Sequence, residues 1–150
     1  MLSAVSSLAI AQTTTKPAPA KPMVKFKPPV VKSYLGDITG KEVVAGADEA
    51  KKLIALPLRI VDAKNVDYTV SSYQFSYKRI GIKEDEETGK TSPESDLVSK
   101  QFTETPLPAI WQSNIVETLH KDETLYFFDI IVIDKQGRRF FAPDLKITIQ

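Results

Sequence analysis

Residues 68–77 read YTVSSYQFSY, and residues 125–133 read LYFFDIIVI. In the first stretch Tyr68 and Val70 share one phase of a two-residue period, while Tyr73, Phe75 and Tyr77 share the other. Successive side chains of a strand point to opposite faces. The change of phase across Ser71 and Ser72 therefore predicts a β-bulge, or a strand that crosses from one sheet to another. The second stretch is apolar in both phases and broken only by Asp129, the pattern of a central strand buried on both faces.

Working outward, residues 134–137 (DKQG) read as a hairpin connection with Gly137 at the left-handed position. Residues 138–149 return as its partner strand, with Phe141, Leu145, Ile147 and Ile149 in one phase. Upstream, residues 56–62 (LPLRIVD) form a strand. Residues 24–34 form an edge strand interrupted by Pro28 and Pro29, with Val24, Phe26 and Val30 as its apolar positions. Residues 37–50 are turn-rich, with a short helical turn capped by Asp48. Residues 80–96 read as a charged loop and residues 97–103 as a further strand.

One helix is expected near residues 106–120. Leu107, Trp111 and Ile115 recur at four-residue spacing, with Ile110, Val116 and Leu119 widening the stripe. Thr105 is the expected N-cap, with Pro106 at the first helical position. The fold class that follows is mainly β: an immunoglobulin-like or related β-sandwich with one inserted helix.

Composition removes several chemistries. With no Cys, the chain has no disulfide, no thiolate nucleophile and no Cys-ligated zinc; with one His, it has no multi-histidine site of its own. A net charge of +1, from 20 basic and 19 acidic residues, gives no electrostatic case for nucleic acid. That balance is uneven along the chain. Residues 1–30 carry Lys16, Lys21, Lys25 and Lys27 with no acid, which leaves 16 basic residues against all 19 acids in residues 31–150. Residues 1–11 end in Ala9-Ile10-Ala11, the small-x-small pattern of a signal-peptide cleavage site, here expected to be truncated at its front. Residues 12–23 read as a disordered Pro/Thr/Lys linker, and residues 24–150 as a single β-rich domain. No stretch reaches the ~20 apolar residues of a membrane-spanning helix, so the expectation is a soluble exported product.

The reactive candidates favour structural roles. His120 reads as a surface histidine closing the helix, since Ser113 or Ser99 with Asp122 supplies no nucleophile signature around it. Glu84, Asp85, Glu86 and Glu87 lack the spacing of a calcium loop and read as solvated. Asp129 must be paired, hydrogen-bonded or turned outward, with Arg138 or Arg139 as the expected partner. Residues 36–42 (GDITGKE) contain Gly-Lys without the phosphate-loop spacing. Neither a catalytic residue, a cofactor site nor a metal site is assigned. Tyr68, Tyr73, Phe75, Tyr77 and Trp111 are the candidate interaction surface, for a protein partner or for a sugar.

The order LPLRIVD, DYTVSSYQFSY, charged loop, then NIVETLHKDETLYFFDIIVIDKQGRRFFAPDLKITIQ resembles the carboxyl-terminal domain of the GldM/PorM family. Members of that family serve gliding motility and type IX secretion in Bacteroidetes. Val70-Ser71-Ser72-Tyr73, Phe127-Phe128-Asp129-Ile130 and the turn from Asp134 to Gly137 stand at the matching places, over roughly residues 30–150. The resemblance implies a periplasmic β-rich domain that makes protein–protein contacts and has no catalytic residues. The expected function is thus a non-enzymatic exported cell-envelope domain that binds another protein or itself. The alternative is a β-sandwich that binds a carbohydrate or small ligand. A small hydrolase built on Asp129 or the acids of residues 84–87 ranks last.

Overall fold

The computed structural model describes residues 26–150. The signal-like segment 1–11, the linker 12–23 and Val24 at the start of the expected first strand lie outside the described residues.

Nine strands and two helices follow in order among these residues: β1 (Val31–Leu35), β2 (Ile38–Thr39), β3 (Val43–Ala45), α1 (Ala47–Leu53), β4 (Leu58–Asp62), β5 (Asp67–Glu84), β6 (Thr91–Phe102), α2 (Ala109–Thr118), β7 (Thr124–Ile133), β8 (Arg139–Ala142) and β9 (Leu145–Ile149). The strands run β2-β1-β4-β5-β7-β9-β3, with β6 on β5 and β8 on β7. The fold is mainly β and sandwich-like, and β5 belongs to both of its layers. Asp67 and Tyr68 pair with Val61 and Ile60 of β4, whereas the rest of β5 pairs with β6 on one side and β7 on the other.

The crossing occurs where the phase change predicts it. Pairing of β5 with β7 slips by one residue at Ser72↔Ile131, between Val70↔Val132 and Gln74↔Phe128, and then returns. Asp129 is the extra residue on the β7 side. Its φ of +46° is the left-handed conformation, which Asp tolerates better than most residues. The bulge turns its carboxylate to solvent, and no ion pair among the described residues joins it to Arg138 or Arg139. Arg138 pairs instead with Asp134, at 2.7 Å.

A single core joins both layers. Val31, Leu35 and Ile60 meet Tyr73, Phe75, Phe127, Leu145 and Ile147, with Ala50 and Leu53 of α1 and Ile115 of α2 closing the ends. The Ser33 hydroxyl of β1 donates to the Pro143 carbonyl at 2.5 Å, tying the first layer to the joint between β8 and β9. Gly36 turns β1 into β2 at φ +62°. The turn needs glycine for this backbone conformation, and a Cβ there, 2.6 Å from a Leu53 methyl, would also have to displace that side chain of α1.

Several expectations need correction. β2 covers the outer side of β1 only at Tyr34 and Leu35, so Val31 to Ser33 keep a strand edge there, and the buried positions are Val31, Ser33 and Leu35 while Val30 is exposed. β7 is fully buried on one face only. Leu125, Phe127, Ile130 and Val132 point into the core, while Tyr126, Phe128, Ile131 and Ile133 are half-buried on the outer face. The returning strand changes phase at Pro143, so Phe140 and Ala142 point inward and Phe141 outward. Two helices replace the single one expected. α1 begins after Gly46, not at an Asp48 cap. α2 begins after Pro108, because each proline disfavours helical backbone in the residue before it and the two alternate along Pro106-Leu107-Pro108. Thr105 caps no helix; its hydroxyl accepts the Leu58 N–H at 2.6 Å and holds the end of β4. Leu107, Trp111, Ile115 and Leu119 face inward, whereas Ile110 and Val116 face out.

Candidate interaction surface

The largest departure from the expected fold is the region of residues 80–96. It is not a loop. β5 and β6 pair continuously from Tyr73↔Phe102 to Glu84↔Thr91, whereas the last partner of β5 on its other side is Thr124, opposite Lys78. From Arg79 to Glu84 the strand is therefore flanked only by β6. The result is a two-stranded arm about 20 Å long, at ~3.3 Å per residue.

A tight turn closes the tip. The Asp85 N–H donates to the Lys90 carbonyl at 2.9 Å and the Gly89 N–H to the Asp85 carbonyl at 2.8 Å, with Gly89 at φ +68°. The Asp85 carboxylate accepts the Glu87 N–H at 2.9 Å, so this acid braces the turn. Both faces of the arm are solvent-exposed over most of its length. One carries Ile80, Ile82 and Pro93, with Leu97 following at its root, and Ile82 and Leu97 are 77% and 63% exposed. The other carries Arg79, Lys83, Glu94 and Asp96, with Arg79 paired to Asp96 at 2.6 Å.

Glu123 anchors the base. Its side chain is buried, and both its oxygens are occupied: Oε1 accepts the Tyr77 hydroxyl at 2.7 Å and the His120 N–H at 2.6 Å, and Oε2 accepts the Ile80 N–H at 2.8 Å. A buried carboxylate is tolerable only with such a set of donors. One side chain thereby joins the end of α2, the start of β7 and the root of the arm. Tyr77 also meets the Thr118 hydroxyl at 3.0 Å, and burial pushes its phenol well above the ordinary tyrosine range. His120 contributes its backbone to this cluster while its ring stays exposed, Nδ1 lying 3.9 Å from Glu123 Oε1.

The Ile80 bond also fixes which way the backbone of the arm faces. In an antiparallel strand the N–H and C=O of a residue point to one side, and the side alternates along the chain. Ile80 points away from β6, toward Glu123. Arg79, Gly81 and Lys83 therefore point toward β6, where their partners Asp96, Glu94 and Ser92 point back. The odd-numbered residues of β6, from Thr91 to Gln101, turn their backbone groups to an edge that no strand covers among the described residues. Pro93 is one of them, so its missing N–H costs the ladder nothing and blunts the edge near the tip.

Beside the arm, the outer face of the sheet forms an open groove of about 740 Å³ lined by Lys41, Lys78, Leu97, Tyr126, Asp144 and Lys146. Tyr126 donates to Asp144 at 2.8 Å, a bond that, with burial, raises its pKa. Its ring stacks on Phe128 with centroids 4.7 Å apart.

The aromatic residues named from the sequence do not form this surface. Tyr73, Phe75 and Tyr77 are core residues, each at most 2% exposed. Trp111 is half-buried and packs edge-on against Phe75 and Phe102, with centroids 5.9 and 5.2 Å apart. Tyr68 packs edge-on against Phe140 and donates to Asp62 at 3.1 Å. Tyr73, Phe75 and Tyr77 lie in the inward phase, and Tyr68 and Trp111 are half-buried on separate elements, so the five do not make one aromatic face. The outward rings on the sheet include Tyr126, Phe128 and Phe141, marked in the sequence by the second phase of LYFFDIIVI and by FF at residues 140–141.

No protein-family model matches the chain, and no curated protein matches it. No helix among the described residues is long and apolar enough to cross a membrane.

Proposed function

We propose that this chain is a non-enzymatic exported domain of the cell envelope that works by protein–protein contact, similar to the terminal periplasmic module of GldM/PorM proteins in gliding motility and type IX secretion. The observation that carries the reading is the projecting arm, which presents Ile82 and Leu97 to solvent beside a strand edge with free backbone groups. A ribbon of this kind adds little core, and exposed apolar side chains on a protruding element favour contact with another protein. The acid-free leader with Ala9-Ile10-Ala11 supports export.

The test is capture from envelope extracts with the full chain and with an arm-shortened variant. The reading expects a specific protein retained by the first and lost with the second. Cell fractionation with mass measurement of the mature amino terminus tests export, and an intact Met1 in the cytosol contradicts it.

A second reading, carbohydrate or small-ligand binding, draws on the groove of Lys41, Lys78, Tyr126 and Lys146. A saturable glycan-array signal abolished by Tyr126→Ala selects it over protein contact.

A further inference from the structure

The free edge of β6 carries a pattern that is complementary to itself. Its outward backbone groups belong to Ser95, Leu97, Ser99 and Gln101, beyond the point blunted by Pro93. Exposed strand edges pair most readily with another strand. We infer that this edge pairs antiparallel with the same edge of a second copy of the chain, about a two-fold axis at Val98. The inference rests on the reading of the arm, with the β6 edge at its root, as a contact device and names one partner for that edge.

Charge and hydrogen bonding select the register. With the axis at Val98, Leu97 lies opposite Ser99 of the second copy and Ser95 opposite Gln101, so four residue pairs each exchange two backbone bonds, about eight bonds in all. Pro93 lies outside the paired stretch. The same register sets Asp96 opposite Lys100 of the second copy, twice by symmetry, and continues the row begun by the Arg79–Asp96 pair. Moving the axis to Asp96 would place two Asp96 carboxylates opposite one another, a destabilising like-charge pair. An axis at Leu97 would set Gln101 against the Pro93 that cannot donate. The Val98 register alone of these three avoids both penalties. Because a two-fold interface is the same patch used twice, each complementary pair counts double.

Only a short strand meets its copy, so the dimer is weak, in the size class of transient contacts. Sedimentation equilibrium of the chain up to about 1 mM, where an association of roughly 4 kcal/mol becomes visible, should show a monomer–dimer equilibrium. Lys100→Glu alone and Asp96→Lys alone should each weaken it at least about tenfold, and mixing the two variants should restore it as a heterodimer in which all the facing charges are opposite. Ser99→Pro, which removes an outward N–H without touching the β5–β6 ladder, should abolish dimerisation with an unchanged circular dichroism spectrum. A monomer at every concentration overturns the inference. So does a dimer that ignores the two charge reversals or is not rescued by mixing. A monomeric chain that still captures an envelope protein through the arm would overturn self-pairing while leaving the proposed function standing.

Discussion

The Tyr77 hydroxyl donates to Glu123 Oε1 at 2.7 Å, joining the root of the arm to the first residues before β7 across 46 positions of sequence. Both partners are buried, and the same carboxylate holds the backbone of Ile80 and His120. Glu123→Gln replaces one acceptor oxygen with a donor, so a buried N–H or O–H must lose its partner. The expected cost is about 1–3 kcal/mol or somewhat more, seen as a drop of roughly 3–10 °C in Tm. Tyr77→Phe leaves the two backbone donors in place and should cost less. Thermal melts of the two variants check the order, and equal stability of Glu123→Gln and the parent would show that the cluster does not hold the arm.

Alkaline stability follows from the buried phenols. Burial raises the pKa of Tyr73 from 10.0 to about 12, its hydroxyl donating to the Glu104 carbonyl at 2.7 Å, and raises that of Tyr77 as well. The unfolded chain loses these protons near pH 10 while the native chain keeps them. Stability is therefore complete below about pH 10 and declines as pH rises toward 12. Chemical denaturation at pH 8, 10 and 11.5 should show a flat region followed by a fall, and Tyr73→Phe should make that fall shallower.

The core and the arm should respond differently to truncation. Phe75 is fully buried and lies 4.9 Å from the Phe127 ring, so Phe75→Ala should cost about 3–5 kcal/mol. Leu97→Ser, at the exposed root of the arm, should stay within about 0.5 kcal/mol. Urea titrations of both variants check the contrast.

Asp129 carries the backbone conformation of its bulge. Asp129→Asn should be nearly neutral, because Asn adopts φ of about +50° as readily as Asp. Asp129→Val places a β-branched side chain at φ +46° and should cost about 1–3 kcal/mol. Similar stability of the Asn and Val variants would mean that the backbone there is not under this constraint.

The sequence is most readable where hydrophobic alternation meets a buried face. The phase change at Ser71 and Ser72 is the bulge that lets β5 serve both layers, and Gly137 turns the β7–β8 hairpin at φ +82°. The arm is hidden because alternation exists only where one face is buried. Lys83 to Lys90 are exposed throughout, so the ribbon reads as loop even though β5 and β6 pair to its tip. LYFFDIIVI is ambiguous for the opposite reason, since a half-covered outer face keeps Tyr126, Phe128 and Ile131 as apolar as a core would. Glu123, flanked by Asp122 and Thr124, looks like any charged turn. Only the fold brings Tyr77 and Ile80 to it, so its role has no local signature.

Site-specific photo-cross-linking in intact cells tests the contact role most directly. A photoreactive residue at Ile82 on the arm or at Leu97 at its root is compared with one at Lys64, in the turn between β4 and β5. Discrete protein adducts are expected from Ile82 and Leu97 and none from Lys64, with an adduct of twice the chain mass identifying a second copy. Adducts from Lys64 alone, or from none of the three positions in cells that export the protein, would contradict the contact role.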